Sequence, residues 1–237
     1  MEFNEFYKEL NFGLEEINLS VSTEQGKKFY EYTNLLLEWN KKINLTSITN
    51  VKDIIVKHYI DSLTVSSLIK DNSKIIDVGT GAGFPGIPLA IFRKDLNITL
   101  IDSLNKRIMF LEEIKNKLEL SNVKIVHSRA EDLGKDKNYR EQYDISVSRA
   151  VALLKVLIEY LVPFVKVGGQ VLCMKGPNVE GEQIEAKNAL EELGSSIQEV
   201  KNIKIKDMER KILIINKNSK TDNKYPRKAG TPSKQPL

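Results

Sequence analysis

The stretch IIDVGTGAGFPGIPLA, residues 75–90, constrains this chain more than any other: an apolar run passes through four glycines into a second apolar run. A strand that turns through glycines into a helix brings bare backbone close to a small ligand, with free N–H groups pointing at it. Two cofactor classes use such a loop. Gly81-x-Gly83-x-x-Gly86 fits a dinucleotide fingerprint, with Asp102 at about the ~20-residue distance of a ribose-binding acid. Asp77-x-Gly79-x-Gly81-x-Gly83 fits a loop that binds S-adenosylmethionine.

The rest of the chain favours the second. After two amphipathic helical patterns, 22–40 with a capping box at Ser22 and Gln25 and 51–69, the texture changes at Lys74. Strand-like runs (74–78, 97–102, 123–128, 143–148, 169–175) then alternate with helical ones (86–93, 104–119, 151–162, 178–193). Alternation of this kind predicts an α/β, Rossmann-like fold with a mostly parallel sheet. Two further strands, near 197–206 and 211–216, follow each other without a helix and predict an antiparallel edge. That ending suits a class I methyltransferase better than a dinucleotide domain. Three regions result: an N-terminal helical extension (1–70), a cofactor-binding domain (71–217) and a basic, proline-containing tail (218–237).

In such a sheet the carboxyl ends of the strands reach the ligand. They are Asp77 and Gly79 on the first strand, Asp102 on the second, Ala130 and Glu131 after the third, and Arg149 on the fourth. Asp102 offers two oxygens to two ribose hydroxyls, and the backbone at Ala130 and Glu131 could read an adenine edge. Each has a plainer alternative: Asp102 as an acid favoured at a helix N-terminus, Arg149 as a structural ion-pair partner.

Net charge is +4, yet residues 216–237 alone carry six lysines or arginines against one aspartate, so the excess lies entirely in the tail. Such a tail is either a solvated end or a phosphate-contacting arm separate from the cofactor pocket. One cysteine allows no internal disulfide, two histidines are too few for a structural zinc site, and no metal is expected. No apolar run approaches the ~20 residues of a membrane span, and the acidic start lacks signal-peptide layout, so a cytoplasmic protein is expected.

WNKKINLT (39–46), HYIDSL (58–63), DVGTGAGFPGIPLAI (77–91), DSLNKRIMFLEE (102–113), HSRAED (127–132), VSRAV (147–151), MKG (174–176) and YPRKAGTPSKQPL (225–237) together resemble the bacterial 16S ribosomal RNA guanine-N7 methyltransferases, the RsmG or GidB family. The resemblance covers nearly the whole chain in order. It implies methyl transfer from S-adenosylmethionine to N7 of one guanine, position 527 in the 530 loop of 16S ribosomal RNA. It also implies cofactor contacts at Gly79, Phe84, Asp102, Ser103, Leu104, Ala130, Glu131 and Arg149. Most of these are strand-end positions already reached by spacing; Phe84 is new, and reads otherwise as a core phenylalanine where a helix begins.

Guanine N7 carries a lone pair in the ring plane and no hydrogen, so attack needs no general base, and no catalytic residue is assigned. Cys173, inside the apolar run QVLCMK, reads as a buried strand residue and not a nucleophile. N7 faces the deep major groove of A-form RNA, so the target is a loop or opened base, held by shape and phosphate contacts. The candidates for RNA contact are Arg129, Lys175, Arg227, Lys228 and Lys234, with Arg107 serving equally as a solvated helix charge.

Overall fold

The computed structural model describes residues 1–149 and 151–237. Helices α1 (Phe3–Glu15) and α2 (Thr23–Asn40) open the chain. Ser22 caps α2 as predicted: its hydroxyl accepts from the Gln25 N–H while the Gln25 side chain accepts from the Ser22 N–H. The second helical pattern is not one helix. It runs α3 (Val51–Ile54), a π-helical turn (Ile55–Ile60), α4 (Asp61–Leu63) and a 3₁₀ turn (Ser66–Leu68).

The alternating region then forms β1 (Lys74–Val78), α5 (Gly86–Phe92), β2 (Asn97–Asp102), α6 (Asn105–Lys117), β3 (Val123–His127), α7 (Ala130–Leu133), β4 (Tyr143–Arg149), α8 (Leu154–Leu161) and β5 (Val165–Lys175). The expected helix over 178–193 is broken at Ala186 into α9 (Glu180–Glu185) and α10 (Lys187–Glu192). The hairpin β6 (Ser195–Ile205) and β7 (Met208–Lys217) follows, and α11 (Thr231–Lys234) lies in the tail.

One seven-stranded sheet has the order β3-β2-β1-β4-β5-β7-β6. The first five strands pair in parallel, and β7 runs antiparallel to both β5 and β6. The strand period of two sorts side chains between two cores. Ile75, Ile98, Leu100 and Leu172 face one layer, which Phe6, Phe29, Leu36 and Ile54 of the N-terminal helices fill. Ile76, Ile101, Val171 and Cys173 face the other, filled by Leu157, Leu161 and Leu190. Tyr225 of the tail joins this second core. The basic tail is therefore packed, a result its composition did not foretell. Among the described residues no helix is long and apolar enough to cross a membrane.

Candidate functional site

The turn after β1 does what its glycines allow. Gly79, Gly81 and Gly83 have φ of 70°, 63° and 98°, in the left-handed region that side chains disfavour. The Gly79 and Thr80 N–H groups both donate to the Ile101 carbonyl, at 2.9 and 3.1 Å, which pins the turn to the end of β2. A Cβ on Gly81 would stand in open space, facing nothing within 4 Å. That space belongs to a cleft of about 540 Å³ at the carboxyl ends of β1 to β4, lined among others by Gly79, Gly81, Phe84, Asp102, Ser103, Ala130, Glu131 and Arg149. Of the eight positions expected to contact the cofactor, seven line this one cavity. Leu104, more than half exposed, lies outside its lining and donates its N–H to Asp102 Oδ1 at 3.0 Å.

Asp102 is nearly buried, and its other oxygen, Oδ2, accepts from the Gly81 N–H at 3.0 Å and from Arg107 Nη1 at 3.1 Å. Arg107 is therefore no free helix charge; it covers the carboxylate expected to take ribose hydroxyls. Beneath the turn, Asp77 Oδ2 accepts from Thr80 Oγ1 at 2.7 Å and the Gly86 N–H at 2.9 Å, while Oδ1 is buried with no partner among the described residues. Burial raises the Asp77 carboxyl to about 6 against the opposing pull of those two hydrogen bonds.

On the opposite wall Arg149 is clamped by the N-terminal segment. Nη1 donates to the Lys57 carbonyl at 3.0 Å and to Asp61 Oδ2 at 2.9 Å, and Nη2 lies 3.0 Å from His58 Nδ1. Its guanidinium sits 4.9 Å from the centroid of Phe84, and the His58 ring stacks on that same phenylalanine at 4.3 Å. Because a guanidinium only donates, His58 Nδ1 accepts and the proton resides on Nε2, which donates to Thr46 Oγ1 at 2.9 Å. Burial and the adjacent Arg149 drive the His58 pKa down to about 3, so the ring is neutral at physiological pH. Asp61 serves a second arginine: its Oδ1 accepts from Arg210 Nε at 3.2 Å.

The RNA candidates divide. Arg129 is exposed at the cleft, while Lys228 and Lys234 are exposed and form no ion pair among the described residues. Lys175 and Arg227 are each engaged in an ion pair within the chain. Lys175 Nζ donates to the Ala152 carbonyl at 2.6 Å and Glu182 Oε2 at 2.7 Å. Arg227 is locked onto the buried Glu159. Cys173 is fully buried, and burial pushes its thiol up to about 12, so it stays protonated. Among the described residues no cluster of His, Cys, Asp or Glu is placed to hold a metal ion.

The family model described as "GidB: rRNA small subunit methyltransferase G" matches residues 25–213. The chain belongs to that family. A ribosomal RNA small subunit methyltransferase G of Alkaliphilus oremlandii is 47% identical over 241 residues, covering 100% of both chains. Its counterpart from Clostridium beijerinckii is 49% identical over 236 residues, covering 98% of this chain and 99% of the relative. Among solved structures, an S-adenosylmethionine-dependent methyltransferase from Aquifex aeolicus superposes with a TM-score of 0.52 at 17% identity, over 76% of this chain and 97% of that one. TYW2 of M. jannaschii, in complex with AdoMet, gives 0.52 at 18% identity over 65% and 72%. At such identities the likeness concerns the fold.

Reading strand ends alone misses Thr46, His58 and Asp61, which this GidB-family chain contributes from outside the sheet. A signal was present: in HYIDSL, His58 and Asp61 stand three residues apart, so a helical turn brings both to one face.

Proposed function

We propose that this chain transfers a methyl group from S-adenosylmethionine to N7 of one guanine, position 527 in the 530 loop of 16S ribosomal RNA, in the cytoplasm where ribosomes are built. The observation that carries the reading is the strand-end cleft, its glycine turn and its carboxylate at Asp102 kept together in a chain that matches the family over 25–213.

The donor set suits an adenosyl ligand with an amino-acid end. Asp102 brings a carboxylate to the cleft that can accept from ribose hydroxyls, and Gly81 leaves the space that a side chain would fill. Arg149 has five N–H groups and uses three on Lys57, Asp61 and His58, which leaves two for a carboxylate or phosphate in the cleft. When bound, S-adenosylmethionine supplies an already electrophilic methyl carbon, so the protein's part is positioning. Guanine N7 needs no deprotonation, and the wall agrees with that demand. Its histidine, His58, has both ring nitrogens engaged and a pKa near 3, so it is no general base. Arg129, Lys228 and Lys234 remain the cations available to RNA phosphates.

Calorimetry with S-adenosylhomocysteine and NAD, followed by incubation of the protein with S-adenosylmethionine and small subunits lacking the mark, tests this. Binding of the first ligand alone and appearance of 7-methylguanosine in digested RNA are expected. Binding of NAD alone, or methylation at another atom, overturns it.

A further inference from the structure

The tail carries one contact set that its charge does not explain. Glu159 lies in α8, fully buried in a helix that is otherwise apolar on that face. Among the described residues, every hydrogen bond to its carboxylate comes from one tail residue, Arg227. Oε1 accepts from the Arg227 backbone N–H at 2.8 Å and from Arg227 Nε at 3.0 Å, and Oε2 accepts from Nη2 at 2.7 Å. A bidentate arginine fork on a buried carboxylate fixes orientation as well as distance. Three residues further on, the Gly230 N–H donates at 3.0 Å to Oε1 of Glu131, which lines the cofactor cleft at the start of α7. The other end of α7 is held as well. Gly134, which closes that helix, lies so close to Pro226 that an added Cβ would come within 2.9 Å of its ring. Arg140 donates to the Gly134 carbonyl at 3.0 Å and to the tail carbonyls of Thr221 and Tyr225 at 2.7 and 2.6 Å.

A four-residue helix does not hold its own position, because it closes too few internal hydrogen bonds. α7 has that length, and both of its ends are tied to the tail. We infer that Glu159 and Arg227 are positioning residues for the adenine end of the cofactor cleft: their ion pair fastens the C-terminal segment across α7 and so fixes Glu131 and the backbone beside it. This rests on the reading of the cleft as an S-adenosylmethionine site with adenine at Ala130–Glu131. It gives the tail a role in cofactor binding that is distinct from contact with RNA.

The test compares the full-length parent with Glu159→Gln, which keeps shape and removes the charge, and Arg227→Lys, which keeps charge and removes the fork. Lys220→Ala, at an exposed lysine of the same tail, is the control. Two probes are titrated well below the measured Tm of each protein: S-adenosylhomocysteine, and 5′-methylthioadenosine, which has the adenosine half without the amino acid. Affinity for both should fall by a common factor of about ten in Glu159→Gln, the order expected when a group that seats a ligand loses its support. Arg227→Lys should lose less, and Lys220→Ala nothing. Protection of the α7 amides from hydrogen exchange should fall in parallel. Unchanged affinity for both probes in Glu159→Gln and Arg227→Lys overturns the inference, as does a loss confined to S-adenosylhomocysteine, which would put the defect at the amino-acid end. If Glu159→Gln does not fold, Arg227→Lys decides alone by the same criteria. A parent protein that binds neither probe refutes the reading of the cleft itself, a separate outcome.

Discussion

Replacing Asp102 by alanine removes a nearly buried carboxylate that accepts from the Gly81 N–H, the Leu104 N–H and Arg107. Two effects separate. On stability, two backbone donors and one guanidinium lose a charged acceptor, and hydrogen bonds to charged groups contribute ~1.5–3 kcal/mol each without adding fully. Arg107 is about one-third exposed and finds water instead, so a loss of about 2–4 kcal/mol is expected, mostly from the backbone groups. On binding, two ribose hydroxyls lose their acceptor. In the free protein Arg107 already occupies Oδ2, so the ribose gains only the difference between the two partners. The net loss should sit near ~1.5 kcal/mol, about tenfold in Kd. Calorimetric titration with S-adenosylhomocysteine, at a temperature where circular dichroism shows the variant folded, reads this directly. Arg107→Ala frees Oδ2 and should bind the ligand at least as tightly as the parent. A folded Asp102→Ala protein with parental affinity, or an Arg107→Ala protein with the larger loss, refutes the assignment of this carboxylate to the ribose.

Gly81→Val places a β-branched side chain at φ 63°, in space open to the cleft, so ligand binding should vanish while the protein stays folded with a Tm a few degrees lower; global unfolding would make the glycine structural instead. His58 has a folded pKa of about 3 against 6.5 unfolded, so its neutral form contributes stability that is present above 6.5 and is lost as pH falls toward 3. Chemical denaturation of His58→Gln should therefore show a shallower acid loss than the parent across that window, and an unaltered slope would contradict the buried neutral ring. Asp77 works in the opposite sense: its carboxyl, raised to about 6 from 3.8, stabilises the fold below 3.8 and loses that contribution as pH rises through 6, so Asp77→Asn should gain stability relative to the parent above pH 6. Lys228→Gln with Lys234→Gln should weaken binding to small-subunit RNA and flatten its salt dependence by about one unit of slope per lost phosphate contact, leaving affinity for S-adenosylhomocysteine unchanged. An identical salt slope would remove the tail from the RNA interface.

How much of this was legible in the sequence follows from how local each signal is. The glycine turn and the cap at Ser22 are written in residues a few positions apart, and the structure forms both; Asp102 was placed by the strand pattern, and its carboxylate meets the Gly81 N–H, 21 residues earlier, where β1 and β2 end side by side. Burial of Cys173 followed from an apolar run. Arg149 could be placed at a strand end, yet its partners His58 and Asp61 lie 91 and 88 residues earlier, and composition carries no information at that range. The tail shows the opposite failure. Its cations looked equivalent when counted, but Arg227 faces Glu159 and Lys217 faces Glu141, while Lys228 and Lys234 stay exposed. One clue stood in the apolar segment LKVLIEYL, where a lone glutamate on a buried helix face requires a cation from elsewhere. The break of the expected 178–193 helix at Ala186 has no comparable signal in its residues.

The most direct test of the central claim is mass mapping of 16S ribosomal RNA from cells with and without this gene, and from cells carrying it as Asp102→Ala. The parent strain should hold a single 7-methylguanosine at position 527, the deletion should lack it, and the variant should restore it only in part. A mark of equal abundance in parent and deletion strains, or a deletion that loses a different methylated nucleotide, would contradict the account.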